Sequence, residues 1–265
     1  MRLDAGQAQQ HGVKRTRRPS PRRHRLMPRQ RLIPSSILAV LVTAALPSSV
    51  LAYEVAPVAD GGTISGKVTF SGPVPTKKII PTKDKEVCGD IREEPEIVVG
   101  ADKGVLDAVV YLKSVEKGKA FQKPAQKPEI VNKGCRFVPN VQAFPVGTVV
   151  IVNSDPVMHN THGFHDKATV FNVALPMKGQ RIERPLKKPG ITRVECDAHG
   201  WMLAWIYVAD NPYYAVTQKD GAFSITDVPP GNYTLVAWHA FTGPTEVAVT
   251  VKPKEAAKVP VELKK

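Results

Sequence analysis

The run Val194-Glu195-Cys196-Asp197-Ala198-His199-Gly200-Trp201-Met202 carries a thiol, an imidazole and a thioether at Cys-x2-His-x2-Met spacing. Upstream, a second motif reads Asn153-Ser154-Asp155-Pro156-Val157-Met158-His159-Asn160. One thiolate, two imidazoles and one thioether are the donor set of a mononuclear type 1 copper centre. In such a centre two His and one Cys form a trigonal plane and Met is a long, weak axial ligand. A fixed set of this kind lets copper change oxidation state with little rearrangement, and the axial donor helps to set the potential. The candidate metal ligands are therefore His159, Cys196, His199 and Met202. Taken singly, a histidine is usually an ordinary surface or core residue and a cysteine a buried hydrophobe; the combination of donor types carries the reading. His162 and His165 follow in the loop expected around His159 and are alternative ligands. Met158 is expected in the core, Trp201 and Trp205 around the site with Trp201 able to line a docking patch, and His239 in a structural role.

These donors need strands to place them. Cys196 ends a predicted strand, Ile191–Cys196, and the short Asp197-Ala198 spacer lets the chain fold back so that His199 faces the same point. His159 follows a predicted strand, Thr148–Asn153, and the turn Ser154-Asp155-Pro156. Other strand-like runs are Thr63–Phe70, Leu106–Leu112, Arg136–Val141, Thr169–Val173 and Ala204–Val208, separated by Gly, Pro, Asn and Asp clusters. No long 3.6-residue apolar period appears, so short strands at this spacing predict an all-β sandwich or barrel. After Ala209-Asp210-Asn211-Pro212 come Tyr213–Thr217, the Lys219-Asp220-Gly221 turn, Ala222–Ile225, the Val228-Pro229-Pro230-Gly231 punctuation, Tyr233–Trp238, Thr245–Val251 and Lys258–Leu263.

The paired motifs Asn153-x-Asp155-x3-His159-Asn160 and Cys196-x2-His199-x2-Met202 resemble the cupredoxins, most of all the plastocyanin and amicyanin branch. The resemblance covers about residues 130–209. It implies an eight-strand Greek-key β-barrel or sandwich, one mononuclear type 1 copper, and single-electron transfer through a partly exposed loop histidine. It also implies that Asn160 ties the two ligand loops together behind the metal. Gly200 departs from the pattern, since short-loop members usually have proline there. The tail resembles carboxypeptidase regulatory-like domains, through Asp220-Gly221-Ala222-Phe223-Ser224-Ile225 and Val228–Leu235, which implies a small C-terminal β-sandwich and no activity. The opening Gly62-Thr63-Ile64-Ser65-Gly66-Lys67-Val68 looks like the first strand of such a domain. The expected organisation is residues 53–209 as the copper domain (core 130–209) and 210–265 as the second sandwich. The alternative completes that sandwich with strands from 61–115, around a copper-binding insert.

Residues 1–52 read as a cleaved signal peptide. A basic stretch precedes the short apolar run Ile37–Leu46 and a small-residue site ending at Ala52. Met27 is an alternative start, and Arg22-Arg23 is at best a degenerate twin-arginine signal. This segment carries ten Lys/Arg and one acid, nine of the thirteen net positive charges, which leaves +4 on residues 53–265. A nucleic-acid partner loses its main support on that count, and the apolar run is too short for a membrane span. The expected location is periplasmic or otherwise exported. In that oxidising compartment Cys88 and Cys135 are the disulfide candidate, leaving Cys196 as the free thiol. Cys196 is flanked by Glu195 and Asp197, so the His-Cys-His link of multicopper oxidases is absent. One ligand-loop cysteine excludes a binuclear purple centre, and Met202 favours copper over structural zinc. The expectation is a non-enzymatic electron carrier between redox partners such as a cytochrome or an oxidoreductase. Its alternatives are a non-redox copper-binding or storage protein and a metal-free extracytoplasmic scaffold or adhesion protein.

Overall fold

In Gly62–Phe70 the inward residues Ile64, Val68 and Phe70 are buried. The strand pairs antiparallel with Ala222–Val228 and in parallel with Ala256–Lys258 and Val261–Leu263. In the computed structural model, which describes residues 53–265, the first and last thirds of that chain thus share one sheet. The facing sheet has the order Tyr214–Val216, Val109–Lys113, Gly231–His239, Gly243–Val251. One apolar core fills the space between them, drawing on Ile64, Val68, Leu112, Tyr213, Leu235 and Val261. The division expected at residue 210 does not follow these sheets. Hydrogen bonding joins strands 62–70 and 109–113 to strands of 214–263, and the region 129–209 is inserted between them. The expected first strand of the second sandwich does take part in it: Gly66 lies so close to Val259 that an added Cβ would sit 1.9 Å from its carbonyl oxygen. The expected signal peptide, the alternative start at Met27 and the Arg22-Arg23 pair lie outside the described residues.

The insert is a second β-sandwich. One sheet has the order Arg181–Leu186, Gly147–Asn153, Glu129–Asn132, Phe137–Val138, and the other the order Ala168–Leu175, His159–His165, Gly190–Glu195, Leu203–Ala209, Val141–Pro145. Ile130, Val149 and Ile151 from the first meet Phe171, Val173, Val194 and Ile206 from the second. Alternation assigns the faces. In Leu203–Ala209, Ala204, Ile206 and Val208 enter this core while Trp205, Tyr207 and Ala209 face outward. That outward face meets the other sandwich. Tyr111 stacks on Tyr207 at 4.5 Å between ring centroids, and Trp205 meets the edge of Trp238 at 5.3 Å, arrangements that add to plain area burial. Trp205 is thus an interface residue, and it also lines one surface cleft with Trp201 and Met202.

Several element boundaries differ from expectation for local reasons. The predicted Arg136–Val141 strand is two strands, Phe137–Val138 and Val141–Pro145, split around Pro139. Lys258–Leu263 is likewise split, into Ala256–Lys258 and Val261–Leu263 around Pro260, which has no N–H to give a ladder. The region expected as a loop around His159 is a seven-residue strand, His159–His165. Its sequence, His-Asn-Thr-His-Gly-Phe-His, hides the period of two because the inward positions are themselves polar or Gly.

Asp107 stands just before Val109–Lys113, at φ 64°, with its carboxyl held up to about 6 by burial. The unfolded value is about 3.9. The protonated form is therefore favoured by folding, so this contribution to stability is full below about pH 4 and is lost as pH rises through 6. Asp107→Asn, which tolerates the positive φ, is expected to stabilise the fold at pH 7.5. The gain is on the order of 1 kcal/mol after allowing for partial solvent exposure, or about 2–4 °C in Tm, and it vanishes by pH 4. Thermal denaturation of both proteins across pH 4–8 checks this.

Candidate metal centre

His159 opens its strand after a turn that is internally satisfied. The Asp155 amide donates to Asn153 Oδ1 at 2.9 Å, and Asn153 Nδ2 donates to the carbonyls of Val157 and Leu175. Asp155 is buried. Its carboxylate accepts the amides of Gly134 at 2.8 Å and Cys135 at 2.9 Å, and Oδ2 lies 2.8 Å from His159 Nε2. Burial alone would raise this carboxyl, but the two amides and His159 together hold it below its usual value. On the other side, Gly190–Glu195 delivers Cys196. The His199 amide then donates to the Cys196 carbonyl at 3.2 Å and the Met202 amide to the His199 carbonyl at 2.9 Å. Two successive tight turns thus set the x2 spacings of the motif.

The structure brings three of the four expected ligands to one point. His159 Nδ1 and His199 Nδ1 are 3.1 Å apart, and Cys196 Sγ lies 3.9 and 3.7 Å from them. A point equidistant from the three atoms is about 2.1 Å from each, the circumradius of a triangle with those sides. Nitrogen and thiolate donors bind a metal such as zinc at about 2.0–2.1 and 2.3 Å. All three residues are buried, His159 and His199 completely. With both rings protonated at Nε2 and donating to carboxylates, the Nδ1 lone pairs face each other, an arrangement that a cation completes. Burial lowers the pKa of His159, with the neighbouring His199 adding to the effect, so the ring is held neutral. Burial raises the Cys196 thiol, against the pull of the Asn160, His199 and Ala198 amides. Metal entry would release its proton. Met202 is buried in the same apolar cluster as Cys196.

The remaining expected residues are placed as follows. The Asn160 amide donates to Cys196 Sγ at 3.4 Å, while its Oδ1 accepts the Asp197 amide at 3.3 Å, so it spans both ligand segments. His162 points to the other face of its strand, where Nε2 meets Thr169 Oγ1 at 2.8 Å and Nδ1 meets the Asp197 carboxylate at 3.2 Å. His165 is on the inward face but six residues along, about 20 Å from His159 at strand rise. Neither joins the cluster. Met158, expected in the core, is 45% exposed. Trp201 packs 5.1 Å from the His199 ring, centroid to centroid, and its Nε1 donates to the Cys135 carbonyl. His239, buried with its pKa lowered to about 4, accepts the Phe241 amide at Nδ1.

Cys88 and Cys135 form a disulfide, with Cys196 the free thiol among the described residues. The two bridged sulfurs and a ring nitrogen of His199 lie within 4.8 Å of one another. Being bonded to each other, these sulfurs are not thiolate donors. One implication of the resemblance is overturned here. The loop histidine is not partly exposed, because Asp84 Oδ2 lies 2.9 Å from His199 Nε2 and closes that edge. Asp84 carried no sequence signal, standing far outside both motifs, and Asp155 could be read only as a turn residue.

Comparison with known proteins gives partial likenesses. The family model for polysaccharide lyase family 4, domain II, matches residues 192–259, a stretch running from the strand before Cys196 into the other sandwich, and it does not show the expected carboxypeptidase regulatory-like domain. No curated protein matches. Among solved structures, a purple cupredoxin from Nitrosopumilus maritimus is 25% identical over 31% of this chain and all of its own, with a TM-score of 0.28. The amicyanin of Paracoccus versutus is 18% identical over 38% of this chain and 97% of its own, with a TM-score of 0.29. A copper-containing nitrite reductase from Thermus scotoductus is 25% identical over 37% of this chain and 25% of its own, with a TM-score of 0.28. At such scores these likenesses decide nothing about chemistry, which is left to the side chains.

Those side chains give a first expected outcome. Asp155→Ala strands the buried Cys135 amide, the half-buried Gly134 amide and the His159 ring nitrogen, and unsatisfied buried donors cost about 1–3 kcal/mol each. The metal-free protein should lose at least about 2 kcal/mol, seen as a fall in Tm of about 4–8 °C in thermal denaturation. Asp155→Asn, which keeps one acceptor oxygen, should fall between.

Proposed function

We propose that this chain is an exported type 1 copper protein that carries single electrons between redox partners and is not itself an enzyme. The observation that carries the reading is the triangle of His159 Nδ1, His199 Nδ1 and Cys196 Sγ, at 3.1, 3.7 and 3.9 Å, with all three residues buried. His159, Cys196, His199 and Met202 would hold copper there, and the metal would supply a one-electron couple between Cu(I) and Cu(II). The chain's own part is to hold the donors still. Asp155 and Asp84 fix the two imidazoles through Nε2, and the Asn160 amide fixes the sulfur. The surrounding apolar cluster excludes water. The Cys88–Cys135 disulfide fits an oxidising compartment, and no helix among the described residues is long and apolar enough to cross a membrane.

Burial of His199 favours a second reading, a non-redox copper-binding protein, because it removes the exposed imidazole edge through which a partner would dock. Visible absorption and electron paramagnetic resonance of residues 53–265 after addition of Cu(II) separate the two. An intense blue thiolate band with narrow copper hyperfine splitting supports the carrier. Tight, colourless Cu(I) binding supports the second reading. Cys196→Ser is expected to abolish the blue band while far-ultraviolet circular dichroism stays unchanged, since a hydroxyl cannot supply the thiolate-to-copper transition. A serine variant that remained blue would remove Cys196 from the ligand set.

A further inference from the structure

Between the strands Gly62–Phe70 and Val109–Lys113 of the outer sandwich, the chain leaves its own sheets. Thr76–Ile79 pairs antiparallel with Arg92–Pro95, forming a two-stranded arm. The twelve residues between these strands hold one short helix, Lys85–Cys88. This arm reaches the inserted sandwich and is fastened there at three kinds of point. Cys88 is bonded to Cys135. Glu94 accepts from Arg136 at 2.8 and 3.2 Å and from Arg92 at 2.7 Å. Val87 packs on the apolar cluster that contains Cys196. The residue just before the helix, Asp84, then presents Oδ2 to His199 Nε2 at 2.9 Å. It does so from a left-handed backbone conformation, φ 51° and ψ 39°, without capping the helix through its side chain. Asp and Asn adopt this conformation more readily than other non-glycine residues. Its carboxylate is thus not used to stabilise the helix start and is spent on the histidine.

We infer that residues 76–95 are a disulfide-anchored cap on the ligand loop and that Asp84 is a positioning residue for His199. Two consequences follow from chemistry. A carboxylate accepting the Nε2 hydrogen fixes the ring and strengthens Nδ1 as a donor, which favours the higher charge on a bound metal and lowers its reduction potential. The same bond closes the His199 edge of the site, so the buried cluster opens only when the arm lifts. One carboxylate thereby both tunes the donor set and bars access to it. The first consequence rests on the copper reading above, whereas the second concerns the metal-free chain alone.

Two variants of residues 53–265 separate charge from shape. Asp84→Asn keeps the backbone preference and an acceptor oxygen but removes the charge; Asp84→Ala removes the bond. In metal-free protein, the rate at which a thiol reagent modifies Cys196 should rise roughly tenfold in Asp84→Ala, the effect of losing one charge-assisted hydrogen bond from the closed state, and less in Asp84→Asn. A Cys88→Ser/Cys135→Ser double variant that stays folded should raise it at least as far. In copper-loaded protein, both Asp84 variants should keep the thiolate band and show a higher reduction potential than wild type. Copper affinity should fall by roughly 10–100-fold in Asp84→Ala. Thiol reactivity and potential that match wild type in both Asp84 variants would overturn the inference, whereas a purely structural role for Asp84 would change stability without moving the potential. If wild type itself takes up no copper, the copper reading fails while the thiol rates still decide the cap.

Discussion

Two imidazole nitrogens 3.1 Å apart, beside a buried thiol, are costly to hold together when both rings carry their hydrogen on Nε2. Everything around them offsets that cost. Each ring has its other nitrogen on a carboxylate, Asp155 for His159 and Asp84 for His199. These bonds set the tautomer and turn both Nδ1 atoms toward one point. Asp155 can be buried as a carboxylate because Gly134 and Cys135 aim two amides at it from consecutive left-handed residues, φ 57° and 51°. Cys135 in turn is bonded to Cys88, at the end of the helix that begins beside Asp84. The carboxylates that orient the two histidines are therefore linked through a single covalent staple, although they lie in distant parts of the sequence.

That linkage explains why the two sandwiches interleave. A cluster built only from residues 129–209 would lack Asp84 against its His199 edge. Here the outer sandwich lends an arm across that edge, and the arm needs a fixed base. The base is the aromatic interface of Tyr111, Tyr207, Trp205 and Trp238, which fixes strand Leu203–Ala209 against the facing sheet. The same strand follows directly on Met202, so the interface and the ligand loop share a rigid element. Trp205 and Met202 are three residues apart and serve these two ends of it.

Where chemistry is local, it was legible in the sequence. Cys196, His199 and Met202 lie within one turn-rich loop, and the backbone bonds that bring the chain around connect only neighbours in that loop. Asp220-Gly221 and the Gly62–Val68 run likewise read as strands and turns, since their period and turn residues are short-range features. What remained hidden is non-local or masked by composition. His159–His165 reads as a loop because its buried positions are His, Thr, Gly and His, so the burial period is not a hydrophobic period. Asp84 is 115 residues from its histidine and sits in a segment rich in charges of both signs, where nothing distinguishes it from a solvated acid. Met158 looked apolar enough for the core, yet strand pairing begins one residue later and leaves it outside.

A closed His199 edge bears differently on the two things that could pass through it. An electron needs no opening, because tunnelling runs through packed side chains, and Trp201 touches the same imidazole while lining the surface cleft beside Lys77 and Lys78. An ion needs a gap, and here the gap opens only if the Asp84 bond breaks while the disulfide still tethers the arm. A fold that hinders metal exchange but leaves a packed aromatic at its rim suits a centre that keeps its metal and passes charge. A storage or delivery protein requires the opposite, with donors exposed enough for a ligand to be exchanged one bond at a time. The burial that first counts against electron transfer therefore counts more heavily against metal transfer, since only the latter must move atoms through the arm.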